Sequence, residues 1–301
     1  MRNILVLGGT RFFGKRLVER LLQDADTRVT ILTRGLTEDG FGEQVNRLNV
    51  DRTDAKALAE AVGDTVWNVV YDNICYSPDE AAAASRIFAE TAKRYILTSS
   101  LSVYDSRPKI LREADFDPLT YPLRLGAKED FNYQEGKRLA ETVLLTQTAF
   151  PVAAVRFPIV LGPDDYTKRL HFHIEHVLEG AAVGVPNPQA LISFIRSDEA
   201  ADFLYWLGFS QLTGPVNACS DGTLAIGEVL SIIEQKTGQQ AVVLSQTADK
   251  DMSPFGIEES WYMDTAKARG AGFQFLKLAE WFPELVVELV TELNASLRDR
   301  E

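Results

Sequence analysis

Cysteine, histidine and methionine are scarce in this chain, at two, three and three residues among 301. Cys75 and Cys219 cannot build a disulfide framework, and they point to a reducing compartment. Positive charge is also short: 31 Lys and Arg stand against 43 Asp and Glu, a net −12. Nucleic-acid binding through bulk attraction to phosphates needs clustered cations, and this balance argues against it. No apolar run reaches the length of a membrane span. One basic residue and then only the run Ile4, Leu5, Val6, Leu7 precede the first glycine, too little apolar sequence for a signal peptide. The expectation is a cytoplasmic globular protein, long enough for one large domain or two modest ones.

What is present begins at the N-terminus. Ile4 to Leu7 reads as a strand buried on both faces, ended by Gly8 and Gly9. Gly14 then opens a helix with the apolar stripe Leu17, Val18, Leu21 and Leu22. Strand, glycine turn and helix aim free backbone N–H groups at a phosphate, so a dinucleotide or other phosphate-bearing ligand is the first expected. Further strands are expected over residues 28–32, 45–50, 65–74, 95–103 and 152–161, with helices over 77–93 and 128–147. That alternation predicts βαβ units and a parallel, doubly wound Rossmann-type α/β sheet. Residues 1–165 form the expected dinucleotide-binding domain, to which segments near 191–222 return. Residues 166–190 and 223–301 form a smaller C-terminal α/β lobe for substrate.

Four ordered segments resemble the extended short-chain dehydrogenase/reductase family, in its nucleotide-sugar epimerase and dehydratase group. They are Gly8-Gly9-Thr10-Arg11-Phe12-Phe13-Gly14, Thr98-Ser99-Ser100-Leu101-Ser102-Val103-Tyr104, the pair Tyr133 and Lys137, and Arg156-Phe157-Pro158 through Gly162-Pro163. The stretches around Phe194 to Asp198 and Gly214 to Asp221 are similar to the family's C-terminal half. In that family the middle position of the loop is glycine, where this chain has Arg11. Loops of this kind also occur in atypical members, among them chloroplast stem-loop RNA-binding relatives.

The resemblance implies a nicotinamide dinucleotide held by Gly8, Thr10, Arg11, Phe12, Phe13 and Gly14. Asn73 and Ile74 line its channel, Pro158 flanks the nicotinamide, and Asp51 lies near adenine. At the end of the second strand an acid selects NAD, whereas an arginine accommodates the extra phosphate of NADP. This chain has Thr33-Arg34 there and no acid. Arg11 could face the same phosphate from the other side, so NADP is favoured, with NAD the alternative. For Arg34 and Arg11 a solvated surface role is the competing reading, and for Asp51 a turn cap is.

Tyr133 and Lys137 share a helix face four residues apart. A neighbouring ammonium favours phenolate, which lets a tyrosine exchange a proton with a substrate hydroxyl near neutral pH. Ser100 stands where the family's active-site hydroxyl orients the substrate oxygen. The dehydratase subgroup carries Thr-Asp-Glu where this chain has Ser100-Leu101-Ser102, so dehydration is disfavoured and epimerisation or reduction of a sugar or nucleotide-sugar alcohol is expected. A non-catalytic dinucleotide sensor or scaffold is the competing class, and RNA binding ranks below it on charge. His171, His173 and His176 do not share one helix face, and no metal site is expected. The resemblance also implies a possible homodimer through the helices near 79–93 and 128–147.

Overall fold

The computed structural model describes residues 1–107 and 109–298. Strand β1 (Arg2–Leu7) sends Ile4 and Val6 into one apolar layer and Leu5 and Leu7 into the other, so neither face meets water. Helix α1 (Phe12–Leu22) leads to β2 (Thr27–Thr33) and β3 (Asn46–Asn49). Helix α2 (Ala55–Val62), β4 (Val69–Asp72), α3 (Pro78–Ile87) and β5 (Tyr95–Ser100) follow. Helix α4 (Tyr133–Gln147) returns the chain to β6 (Val152–Phe157).

Past Pro158 the chain leaves this sheet. Strand β7 (Ile159–Leu161), α5 (Arg169–Glu179), β8 (Ala182–Gly184), β9 (Leu191–Ile192) and β10 (Phe194–Arg196) come next. Helix α6 (Ser197–Phe209) and β11 (Gly214–Asn217) return to the main sheet. Strand β12 (Leu224–Ala225), α7 (Ile226–Thr237), β13 (Val242–Leu244), α8 (Ala266–Gly270) and α9 (Leu278–Arg298) complete the chain.

The main sheet has seven strands in the order β11-β6-β5-β4-β1-β2-β3, and every pairing is parallel. Helices α1 and α6 cover one face through Leu17, Val18, Leu21, Phe203, Leu204 and Leu207. Helices α2, α3 and α4 cover the other through Leu58, Val62, Ala81, Ala84, Val143 and Leu144. A separate apolar core joins α5, α7 and α9 through Ile174, Val177, Val229, Ile233, Phe282 and Leu285. The strand order reverses between β1 and β4, which is where an open α/β sheet leaves a crevice for ligand.

Several boundaries differ from expectation. The strand expected over 152–161 is two strands, because Pro158 has no N–H for the ladder and β7 pairs instead with β10. The strand expected to run to residue 103 ends at Ser100, whose Oγ accepts Ser102 N at 3.1 Å and starts a 3-10 turn over Leu101–Val103. The helix expected from 128 begins at Tyr133, capped by Asn132 Oδ1 accepting from Glu135 N at 2.8 Å. Helix α1 opens at Phe12, itself in the left-handed region at φ 52°, not at Gly14. Among the described residues no helix is long and apolar enough to cross a membrane.

Candidate active site

The glycine turn is shaped by contacts that side chains would destroy. A Cβ on Gly14 would lie 2.4 Å from the Gly8 carbonyl oxygen, so the helix can approach β1 only without one. Gly8 has φ +82°, and a Cβ there would meet Ile74 at 2.5 Å. No side chain caps the start of α1, and its first turn carries no acid. The free N–H groups and helix dipole therefore offer an anion site beside the switch point, which suits a dinucleotide pyrophosphate. Thr10 is half-buried in this turn, and Phe13 packs on Phe157 with ring centres 5.9 Å apart. Pro158 is buried next to that ring.

Arg11 leaves the turn toward the end of β2, where its Nη2 donates to Thr37 Oγ1 at 3.0 Å. Its guanidinium also lies 5.9 Å from the centre of the Tyr166 ring. Arg34 is exposed and close enough to Asp51 to help hold that carboxylate below its usual range. The first cause of that depression is local, since Asp51 accepts from Thr53 N at 3.0 Å and Thr53 Oγ1 at 2.7 Å, the geometry of a turn cap. These residues form the β2–β3 end of the crevice, away from Ser100, Tyr133 and Lys137.

At the end of β4, Asn73 braces the crevice. Its Nδ2 donates to Gly8 O at 3.4 Å, and its Oδ1 accepts from Thr98 Oγ1 at 2.7 Å. The preceding Asp72 is buried against Arg52 at 2.8 Å and accepts from Tyr95 Oη at 2.5 Å. Ile74 N donates to Asp72 Oδ1 at 3.1 Å, which turns the chain over the glycines.

The other end is built by α4 and the segment after β5. Lys137 is buried, and its Nζ donates to Cys75 O at 2.7 Å and Thr98 O at 2.8 Å. Gln134 Nε2 donates to Tyr104 O at 3.0 Å and Arg138 Nε to Val103 O at 2.7 Å, fastening the first turns of α4 to the stretch that holds Ser100. Tyr133 stands at the mouth, 54% exposed, with its ring centre 5.8 Å from Lys137 Nζ. Ser100 is half-buried, and because its Oγ already accepts from Ser102 N, its hydrogen is free for a ligand oxygen. Behind them the buried pair Arg156–Glu141, at 2.6 Å, ties β6 to α4, and Ser99 Oγ donates to the same carboxylate.

The structure thus gathers Ser100, Tyr133 and Lys137 at one end and Arg11, Arg34 and Asp51 at the other, with the glycines, Asn73 and Ile74 between. Tyr76, which the sequence reading passed over, lies against both Lys137 and Tyr133, its ring centre 6.3 Å from that of Tyr133. No local pattern marks it, since its contact with Lys137 crosses from the loop after β4 to α4. The histidines lie in the other core. His173 is stacked on Phe255 and contacts Ser253 Oγ at 2.7 Å, and burial pushes it down to about 4. Among the described residues no group of three or more His, Cys, Asp or Glu could hold a metal.

Residues 4–208 match the model of the NAD dependent epimerase/dehydratase family. A UDP-glucuronic acid decarboxylase of Arabidopsis thaliana is 24% identical over 77% of this chain and 74% of its own. A chloroplast stem-loop binding protein of the same plant is 27% identical over 69% of this chain and 55% of its own. Among solved structures, the UDP-glucose 4-epimerase of Thermotoga maritima with UDP-glucose superposes with TM-score 0.74 at 14% identity, covering 98% of this chain and 99% of that one. The UDP-glucuronic acid 4-epimerase of Bacillus cereus, with UDP-glucuronic acid and NAD, also reaches 0.74, at 17% identity over 97% and 99%.

Proposed function

Because this chain belongs to the NAD dependent epimerase/dehydratase family, we propose that it is a nicotinamide-dependent epimerase or reductase acting on a sugar-like alcohol, nucleotide sugars being the first class to try. The observation that carries the reading is the Lys137 ammonium held beside Tyr133, next to a bare helix N-terminus at the switch point of the sheet. Tyr133 takes the proton of a substrate hydroxyl on oxidation and returns it on reduction. Lys137 sets its positive charge beside the phenol, and Ser100 donates to the same substrate oxygen. The turn from Gly8 to Gly14 would hold the dinucleotide, with Asn73, Ile74 and Pro158 along its channel. When bound, a nicotinamide dinucleotide supplies the hydride acceptor and donor.

We assign NADP as the preferred dinucleotide. Arg11 reaches Thr37, three residues past Arg34, so two guanidiniums serve the β2 end, where no acid stands. The substrate lobe is assigned to residues 166–190 and 223–301, and a homodimer through α3 and α4 completes the reading. A reducing, cytoplasmic setting agrees with both cysteines being free and buried.

Side-by-side calorimetric titration with NADP+ and NAD+ tests the cofactor assignment. Tighter binding of NADP+, lost in Arg34→Ala and in Arg11→Ala, is expected. A preference for NAD+ would overturn the two-arginine site.

A further inference from the structure

The Lys137 ammonium is buried, yet among the described residues no carboxylate pairs with it. An ammonium has three N–H donors and no acceptor. Two of these go to Cys75 O, in the loop after β4, and Thr98 O, within β5. On a third side lies the Tyr76 ring, its centre 4.5 Å from Nζ and so closer than the Tyr133 ring at 5.8 Å. The negative face of an aromatic ring attracts a cation, and the attraction grows where water is excluded.

Tyr76 is itself held firmly. Its N donates to Glu80 Oε2 at 2.6 Å. Its carbonyl sits so near α4 that a Cβ on Gly136 would come within 2.3 Å of it. Gly136 thus lets the Tyr76 segment close onto the helix that carries both Tyr133 and Lys137. A second ammonium, Lys128 Nζ, also lies 4.9 Å from the ring centre.

We propose that Tyr76 is a positioning residue whose ring, rather than its hydroxyl, holds the Lys137 ammonium in place and covers it from solvent. The inference rests on the reading of Tyr133 and Lys137 above, because its value to the reaction lies in keeping that charge fixed and unscreened beside Tyr133. Burial raises the Tyr76 phenol well above its ordinary value, so the hydroxyl stays protonated and is no competing base.

The test compares the whole protein with Tyr76→Phe, Tyr76→Leu and Tyr76→Ala. Trace acetylation with acetic anhydride, read at Lys137 by peptide mass spectrometry, needs neither substrate nor cofactor. Wild type and Tyr76→Phe should label Lys137 equally slowly. Tyr76→Ala should label it roughly tenfold faster, and Tyr76→Leu, which keeps bulk without a π face and guards against a folding failure, by an intermediate factor. In NADP-loaded protein, the tyrosinate absorbance that Tyr133→Phe removes should move to higher pH in Tyr76→Leu and stay in place in Tyr76→Phe. Slow labelling of Lys137 in both Tyr76→Leu and Tyr76→Ala would overturn the proposal, as would Tyr76→Phe behaving like Tyr76→Ala. If no early ionisation belongs to Tyr133 but Lys137 opens in Tyr76→Ala, the cover stands and the acid–base reading falls.

Discussion

Arg52 donates through Nη1 to both oxygens of Asp72, at 2.8 and 3.1 Å, in an ion pair closed to solvent directly below the glycine turn. The guanidinium spans the end of β4 and the first turn of α3, where Nη2 donates to Glu80 O at 3.1 Å. Its charge is strongly favoured there, by the neighbouring Asp72 above all, against the cost of burial. Removing one partner of such a pair leaves the other charge stranded. Arg52→Met should therefore cost about 3–5 kcal/mol in urea denaturation, with part recovered by adding Asp72→Asn. A loss below about 1 kcal/mol would mean that the pair does not organise the strand end.

Gly14 admits no side chain. Its Cβ would press on the backbone oxygen of Gly8, which has no rotamer to retreat into. Gly14→Ala should cost about 1–3 kcal/mol of stability, by the overpacking it forces. It should also abolish the calorimetric signal for dinucleotide, because α1 must shift to make room. Wild-type affinity in that variant would place the ligand elsewhere.

Tyr133 separates an enzyme from a dinucleotide sensor. In a panel of nucleotide sugars followed by nicotinamide absorbance and product chromatography, Tyr133→Phe should lower turnover by about 10²- to 10⁴-fold. Dinucleotide affinity should stay at the wild-type level, since the phenol stands at the crevice mouth. A variant as active as wild type would assign the proton transfer to another group.

Two buried groups give the protein opposing pH responses. Glu199 accepts from Ser220 Oγ and Leu276 N, and burial pushes it up to about 7. Its folded form holds a proton that the unfolded chain has released, so its stabilisation is full below about pH 4 and is lost as pH rises to about 7. His173 runs the other way. Held down to about 4 by burial, it favours the folded state above about pH 6.5 and loses that contribution as pH falls. Each amounts to about 3 kcal/mol, so they largely offset between about pH 4.5 and 6.5. Glu199→Gln should expose the histidine, giving a stability that climbs with pH across that interval in urea denaturation. Identical slopes in variant and wild type would refute the assignment.

The parallel sheet was legible because its strands are continuous apolar runs and its punctuation is chemical: glycines after β1, Ser77-Pro78 before α3. Element ends were less so. Ser100 stops β5 through a hydrogen bond to Ser102 N that alternating hydrophobicity does not encode. Pro158 falls within the single strand expected over 152–161, and its missing donor divides that strand in two. Of the site, Tyr133 and Lys137 could be paired by helical spacing alone. Tyr76 could not, since its contact with Lys137 crosses from a strand-end loop to a helix and depends on Gly136 allowing the approach. Arg52–Asp72 and Arg156–Glu141 were invisible for the same reason, joining positions with no local periodicity between them.

The division of one expected strand at Pro158 reaches beyond secondary structure. Residue 157 ends a strand of the main sheet and residue 159 begins one paired to β10, so the chain steps without a tether onto a strand pair that packs into both cores. It passes back where β10 meets α6, and leaves again after β11. The two cores are stitched, not strung. No single cut in the gene separates the two cores, so neither is a portable module. Exchange of the second core between such proteins would have to graft two separated inserts at once, with their seams kept at these crossings.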